Sequence, residues 1–199
     1  MARTEDRDAP LQLACSCGQL RATMPGAAAR SGTHVACHCS DCRAGQLHLG
    51  QPDPAPGPVD LFQTTPDNIE LTSGADHLGL FRLSPKGLFR WYATCCNSPL
   101  FNTSTSAKVP FVSLPIALMD TPERVGPIIA EVNIRKPDGK KQNKGLARAL
   151  LKLLPAILAT RLSGRWRRTP FFDIETGKPV VAPHILSKDA RAALYPAGR

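Results

Sequence analysis

The stretch Thr33-His34-Val35-Ala36-Cys37-His38-Cys39-Ser40-Asp41-Cys42-Arg43 decides how this chain is read. Thr33–Cys37 has the apolar, β-branched character of a strand, and it delivers Cys37, Cys39 and Cys42 into a tight turn. Thiols at i, i+2 and i+5 in that setting can converge on one ion. Three protein ligands leave the fourth position of a tetrahedral zinc open, as in catalytic sites. Three thiolates also leave Zn²⁺ electron-rich, so it is a poor generator of hydroxide and is better suited to holding a substrate thiol as thiolate. The pattern favours thiol chemistry over hydrolysis.

The other cysteines extend this reading. The chain has seven, an odd number, and the rest fall as Cys15-Ser16-Cys17 and Cys95-Cys96. Met1 to Pro10 alternates acid and base with no apolar core, which does not suit a secretory signal, so a disulfide framework is not expected and a cytoplasmic location is. Clustered thiols in a reducing compartment read first as metal ligands, then as redox groups, and last as core packing. Cys15 and Cys17 need partners from elsewhere, and Cys95-Cys96 is the remaining source. Adjacent side chains tend to point apart, so a second site is expected with three thiolates and another donor, or with four under strain. His34 and His38 are conceivable donors, although a histidine beside a cysteine cluster is more often only hydrogen-bonded.

Length and composition set the frame. The chain has 199 residues, 19 prolines and 15 glycines, which favours many short elements and a β-rich core. No apolar run approaches the ~20 residues that span a bilayer. Strands are predicted within Leu11–Met24, at Val59–Thr64, Asn68–Thr72, Leu78–Leu83, Leu88–Thr94, Val109–Leu114 and Ile128–Ile134. Residues 25–32 and the proline-rich 51–58 are predicted as loops. The net charge of +9 is concentrated: between Arg135 and Arg168 eleven basic residues face one acid, Asp138. Within that segment, Leu146, Leu150, Leu153, Leu154, Ile157, Leu158 and Leu162 follow a helical period, with Lys144, Arg148 and Lys152 on another face. Pro155 is expected to kink or split the helix. A hairpin around Gly177 (Phe171–Thr176 with Pro179–Ala182) and a short capped helix from Ser187 to Leu194 complete the chain.

Cys15-x-Cys17-Gly18, Cys37-His38-Cys39-Ser40-x-Cys42-Arg43 and Cys96-x-Ser98-Pro99-Leu100 together resemble the glutathione-dependent formaldehyde-activating enzyme family, which includes centromere protein V. The likeness spans roughly residues 11–134. It implies a mainly β fold, a β-tent of antiparallel sheets with zinc-thiolate sites, over residues 10–134. Residues 135–199 have no counterpart in that family and are read from their own pattern as a basic amphipathic α-helical segment with a short terminal hairpin and helix, packed on that domain. It further implies one or two zinc ions: a labile one at Cys37, Cys39 and Cys42, and a structural one at Cys15, Cys17 and the later pair. Cys96 matches the second cysteine of that later pair, whose usual partner position is Ala93 here, with Cys95 in an unexpected place. The family's glycine after the last cysteine is Asn97.

Two functions follow. One is a carbon–sulfur lyase acting on a small thiol substrate such as a glutathione adduct, with Arg43 meeting a substrate carboxylate or, alternatively, making a surface salt bridge or capping the cluster turn. The other is a zinc-stabilised binding module whose 135–168 segment contacts nucleic acid or an anionic membrane surface. Against that second reading, leucines at every core-facing position suit packing of the helix on the tent, with the basic face merely solvated. A vicinal Cys95–Cys96 disulfide is a weaker, redox alternative.

Overall fold

A computed structural model describes residues 8–195; the charged Met1–Arg7, from which the lack of a signal was read in part, lies outside them. The elements are β1 Leu11–Ala14, β2 Arg21–Met24, α1 Gly26–Ser31, β3 Thr33–Cys37, α2 Ser40–His48, β4 Val59–Thr64, β5 Glu70–Ser73, β6 Leu78–Arg82, β7 Phe89–Ala93, β8 Ser98–Thr103, β9 Val112–Pro115, β10 Ala130–Arg135, β11 Lys141–Lys144, α3 Leu146–Leu162, β12 His184–Ile185 and α4 Lys188–Ala193. The protein is mainly β. A three-stranded sheet, β1-β2-β5, faces a nine-stranded sheet in the order β11-β10-β3-β4-β9-β8-β7-β6-β12.

The sheets are not purely antiparallel. β10 pairs with β3 in parallel, and β12 pairs with β6 in parallel. The chain between the members of each parallel pair is long, residues 38–129 and 83–183, as a parallel neighbour requires. The core between the sheets is built from alternating inward residues: Leu11, Leu13, Met24, Phe62, Trp91, Phe101 and Leu114 are all buried. Phe171 joins them from far downstream, fully buried with its ring centroid 5.1 Å from Trp91 and 5.2 Å from Phe101.

Several local readings change. Residues 26–31 form α1 instead of a loop, because Ala27, Ala28 and Ala29 are strong helix formers and Ala28 and Ala29 are buried. β9 begins only at Val112, since Ser104 Oγ bonds the carbonyls of Ser106 and Val109 and Pro110 has no N–H for a ladder. The Gly177 hairpin is a single bridge, Phe172 to Pro179, with no strands. Pro155 does not split α3. It lies on the exposed side, where the carbonyl it leaves unpaired can turn to water.

The face of α3 is the larger correction. Ala149, Leu153 and Thr160 are the buried residues of the helix, and they pack toward β3, β4 and β10. Arg165 fixes that rotation by bonding Thr160 Oγ1 at 3.2 Å and Asp67 at 3.5 Å. Leu151, Leu154, Leu158 and Leu162 therefore point outward, each more than half exposed. Among the described residues no helix is long and apolar enough to cross a membrane.

Candidate metal centres

Two sulfur clusters emerge, each from elements distant in sequence. In the first, the β1–β2 turn meets the β7–β8 hairpin. The turn is shaped by Gly18, whose φ of 75° takes the chain through the left-handed region while its N–H bonds the Cys15 carbonyl at 2.9 Å. The hairpin is Thr94-Cys95-Cys96-Asn97, closed by Asn97 at φ 54°. A four-residue turn does not alternate its side chains as a strand does, so Cys95 and Cys96 both reach the cluster. The sulfurs of Cys15, Cys17, Cys95 and Cys96 lie within 4.8 Å of one another. Four thiols meet here, with no fifth metal-ligating side chain among the described residues.

The spacing fits a tetrahedral ion. Zinc–sulfur bonds of about 2.3 Å at tetrahedral angles place sulfurs ~3.8 Å apart. The separations are 3.5 Å for Cys15–Cys17, 3.4 Å for Cys17–Cys95, and 3.9 Å for both Cys15–Cys95 and Cys95–Cys96. Polar groups already surround the sulfurs. Leu20 N–H meets Cys15 at 3.3 Å, and Ser98 Oγ lies 3.2 Å from Cys96. Burial raises the Cys96 thiol, but hydrogen bonds from Ser16 and Ser98 outweigh it and hold it down at about 5. Burial and then the neighbouring sulfurs push Cys95 up to about 12, since a second negative charge in the same cluster is disfavoured unless a cation compensates it.

The second cluster sits at the end of β3. Cys37 is the last strand residue, Cys39 is the N-cap of α2, and Cys42 lies in its first turn. Cys39 Sγ accepts the Cys42 N–H at 3.2 Å, the bond an N-cap side chain makes. This helix replaces the simple turn read from the sequence, and its positive end favours negative sulfur. The three sulfurs are mutually within 4.8 Å, with Cys37–Cys42 at 3.6 Å. Hydrogen bonds from Cys39 and then Cys42 draw Cys37 down to about 3, and those same bonds, in which Cys39 and Cys42 give their protons to Cys37, raise both neighbours. Val59, Leu61 and Val132 pack beneath them.

Neither histidine joins a cluster. His34 donates from Nδ1 to the Gly126 carbonyl at 2.9 Å, and His38 Nε2 is 3.9 Å from Glu131. Arg43 closes a bidentate pair on Asp53, 2.6 and 2.5 Å, and so holds the proline-rich loop beside the cluster. Together with Arg135, Ile134 and Pro54–Gly57, Arg43 lines a cavity of about 510 Å³ that opens on Cys37 and Cys39.

Two residues at this site gave no sequence signal. Asp53 sits inside a run of prolines that reads only as loop. Asn133, at φ 59°, turns its amide toward Cys37 (3.9 Å) where β10 bulges. An asparagine tolerates that backbone better than most residues, but one asparagine in a strand pattern announces nothing.

Both clusters are thus positioned to bind metal ions. No curated protein sequence matches the chain. A structural-genomics crystal structure of a Rhodobacter sphaeroides protein is similar at a TM-score of 0.41 and 16% identity, covering 59% of this chain and 96% of that one. Residues 8–182 match a family of unknown function, DUF6151, and the chain belongs to that family.

Proposed function

We propose that the protein is a zinc-thiolate protein with two unlike sites, and that the three-cysteine site carries carbon–sulfur lyase chemistry on a small thiol adduct of the glutathione type. The observation that carries this reading is the pairing of an incomplete donor set with an open cavity: Cys37, Cys39 and Cys42 provide three sulfurs, and the cavity lies against two of them. The four-cysteine cluster has a complete set and links two hairpins, which suits a structural ion. The motif resemblance to formaldehyde-activating enzymes points the same way, including a β-tent arrangement of the sheets.

Zinc at the three sulfurs would supply a Lewis acid that lowers the pKa of an incoming thiol. The chain's residues do the rest. The α2 N-terminus and the Asn133 amide favour negative sulfur at Cys37. The apolar floor of Val59, Leu61 and Val132 limits water beneath the cluster. Arg135 stands at the cavity wall to meet a carboxylate, and Arg43 can do so by exchanging Asp53 for substrate. The reaction is balanced without a co-reactant: the hydroxymethyl carbon–sulfur bond breaks, the hydroxyl proton moves to sulfur, and free thiol and formaldehyde result.

The test is NMR exchange between S-hydroxymethylglutathione and formaldehyde, with the zinc-loaded protein and with Cys39→Ser. Faster exchange with the wild type, lost in the variant, is the expected result. Equal rates with zinc bound in both clusters would remove the lyase assignment. They would leave a second reading, a zinc scaffold without chemistry, which the closed Arg43–Asp53 pair favours.

A further inference from the structure

The outward face of α3 has no partner among the described residues. Leu151, Leu154, Leu158 and Leu162 are spaced three, four and four residues apart, so they form one stripe along the helix. Leu151 is 76% and Leu162 78% exposed, values unusual for leucine in a folded protein. Beside the stripe, Leu150 and the exposed Val109 extend the apolar surface, and Pro110 borders it. The result is a contiguous leucine surface on the outside of the molecule. Such patches mark sites of interaction.

Charge identifies the partner. At 100° per residue, Arg148 and Lys152 fall on one flank of the stripe and Arg161 on the other, and Lys108 lines the same apolar surface as Arg161. Of the eleven cations between Arg135 and Arg168, two meet carboxylates among the described residues: Lys140 with Asp138 and Arg165 with Asp67. A second copy of this chain placed stripe to stripe would bring Arg148, Lys152 and Arg161 against like charges. Duplex nucleic acid would satisfy the cations but leave the leucines in water. An anionic bilayer surface satisfies both, taking leucines among the acyl chains while headgroup phosphates meet the flanking bases.

We infer that the protein docks peripherally on anionic phospholipid membranes through the exposed face of α3, with Leu151, Leu154, Leu158 and Leu162 inserted and Arg148, Lys152 and Arg161 at headgroup level. The inference is independent of any chemistry at the sulfur clusters. It differs from an isolated amphipathic helix because the opposite face is already fixed on the sheet, so no folding accompanies binding.

The experiment is flotation of the full chain with vesicles of phosphatidylcholine alone or containing about a third phosphatidylglycerol. Binding is expected to the anionic vesicles, falling at least about tenfold as salt rises from ~0.05 to ~0.5 M. Leu151→Glu with Leu158→Glu is expected to abolish it, and Arg148→Gln with Lys152→Gln to weaken it several-fold and flatten the salt dependence. Leu151→Ser with Leu158→Ser is a milder pair, and circular dichroism confirms that each variant is folded. No binding to either vesicle would overturn the inference, as would binding unchanged by the leucine variants. It is equally overturned by a wild-type dimer that the leucine variants make monomeric, or by tight binding to duplex DNA without binding to vesicles.

Discussion

Tyr195 donates its hydroxyl to Asp41 Oδ1 at 2.6 Å, so a residue 154 positions downstream is tied to the helix turn that carries Cys39 and Cys42. Leu186, Leu194 and Tyr195 pack on Ala44, Leu49, Phe81 and Leu83, and β12 pairs with β6 beside them. The far end of the chain thus braces α2 from behind. Burial, and then Asp41, raise the Tyr195 phenol, so its proton stays in place at neutral pH. Tyr195→Phe should lower stability by about 1–2 kcal/mol, at the low end of a hydrogen bond to a charged group because the pair is partly exposed. Urea denaturation measures that loss, and a faster chelator-driven metal release from the three-cysteine site should accompany it. An unchanged midpoint would show that packing alone holds the brace.

The two clusters should respond differently to loss of one sulfur. Cys17→Ser breaks the cluster that joins the β1–β2 turn to the β7–β8 hairpin, and should destabilise the fold by about 2–4 kcal/mol with metal present. Cys39→Ser breaks a cluster local to one strand end and one helix and keeps an N-cap acceptor for the Cys42 N–H, so it should cost less than about 1 kcal/mol. Thermal melts and metal content per chain, taken together, check both. Equal destabilisation would mean that the sites are not divided into structural and open.

Asn97 holds a left-handed backbone, φ 54°, so that Cys95 and Cys96 face the same cluster. Asn97→Gly should be close to neutral, and Asn97→Ala should cost about 1 kcal/mol. The measurement is the urea midpoint of the two variants. If alanine proves as good as glycine, the turn is held by the sulfurs and not by the backbone preference.

His48 stacks on Phe81 with centroids 4.5 Å apart, and burial, then the charge of His184, hold its pKa below the ordinary 6.5. The folded state therefore binds fewer protons than the unfolded one as pH falls through that value. Stability from this residue is present above pH 6.5 and is lost below it. Because the ring is partly solvated, the effect is small. Relative to His48→Gln, the wild type should lose ground between pH 7.5 and 5.5 in paired urea titrations, taken as an interval of about one unit on each side of the ordinary value. A difference that stays constant with pH would refute this.

The cysteine groups were legible in the sequence because metal ligands must be the residues themselves. Spacing showed Cys37, Cys39 and Cys42 as one set and Cys15 and Cys17 as half of another. What spacing could not show was geometry that depends on backbone state. The convergence of Cys95 and Cys96 rests on one positive φ at Asn97. The α2 helix was hidden because its N-cap is a cysteine, which is not read as a capping residue, and because few of its side chains are apolar.

Most strands were visible through inward alternation, as in Phe89–Ala93. Two were not. Ser98–Thr103 contains Pro99 beside the cysteine hairpin. Lys141–Lys144 is an edge strand with nothing to bury. The α3 period located the helix correctly but not its rotation, because leucines that face a sheet and leucines that face outward share the same spacing. Arg165, lying beyond the helix, sets which side turns in.

Phe171 fills the space between Trp91 and Phe101, and this has a temporal meaning. A polypeptide emerging from the ribosome presents both sets of sulfurs and most of the strands well before that ring is made. Until then the sandwich carries a hole of aromatic size, of the kind that costs roughly 3–5 kcal/mol in a finished protein. Sulfur chemistry is thus available to the nascent chain before its interior is complete, and an ion captured early would hold the hairpins in register while the plug is still being synthesised.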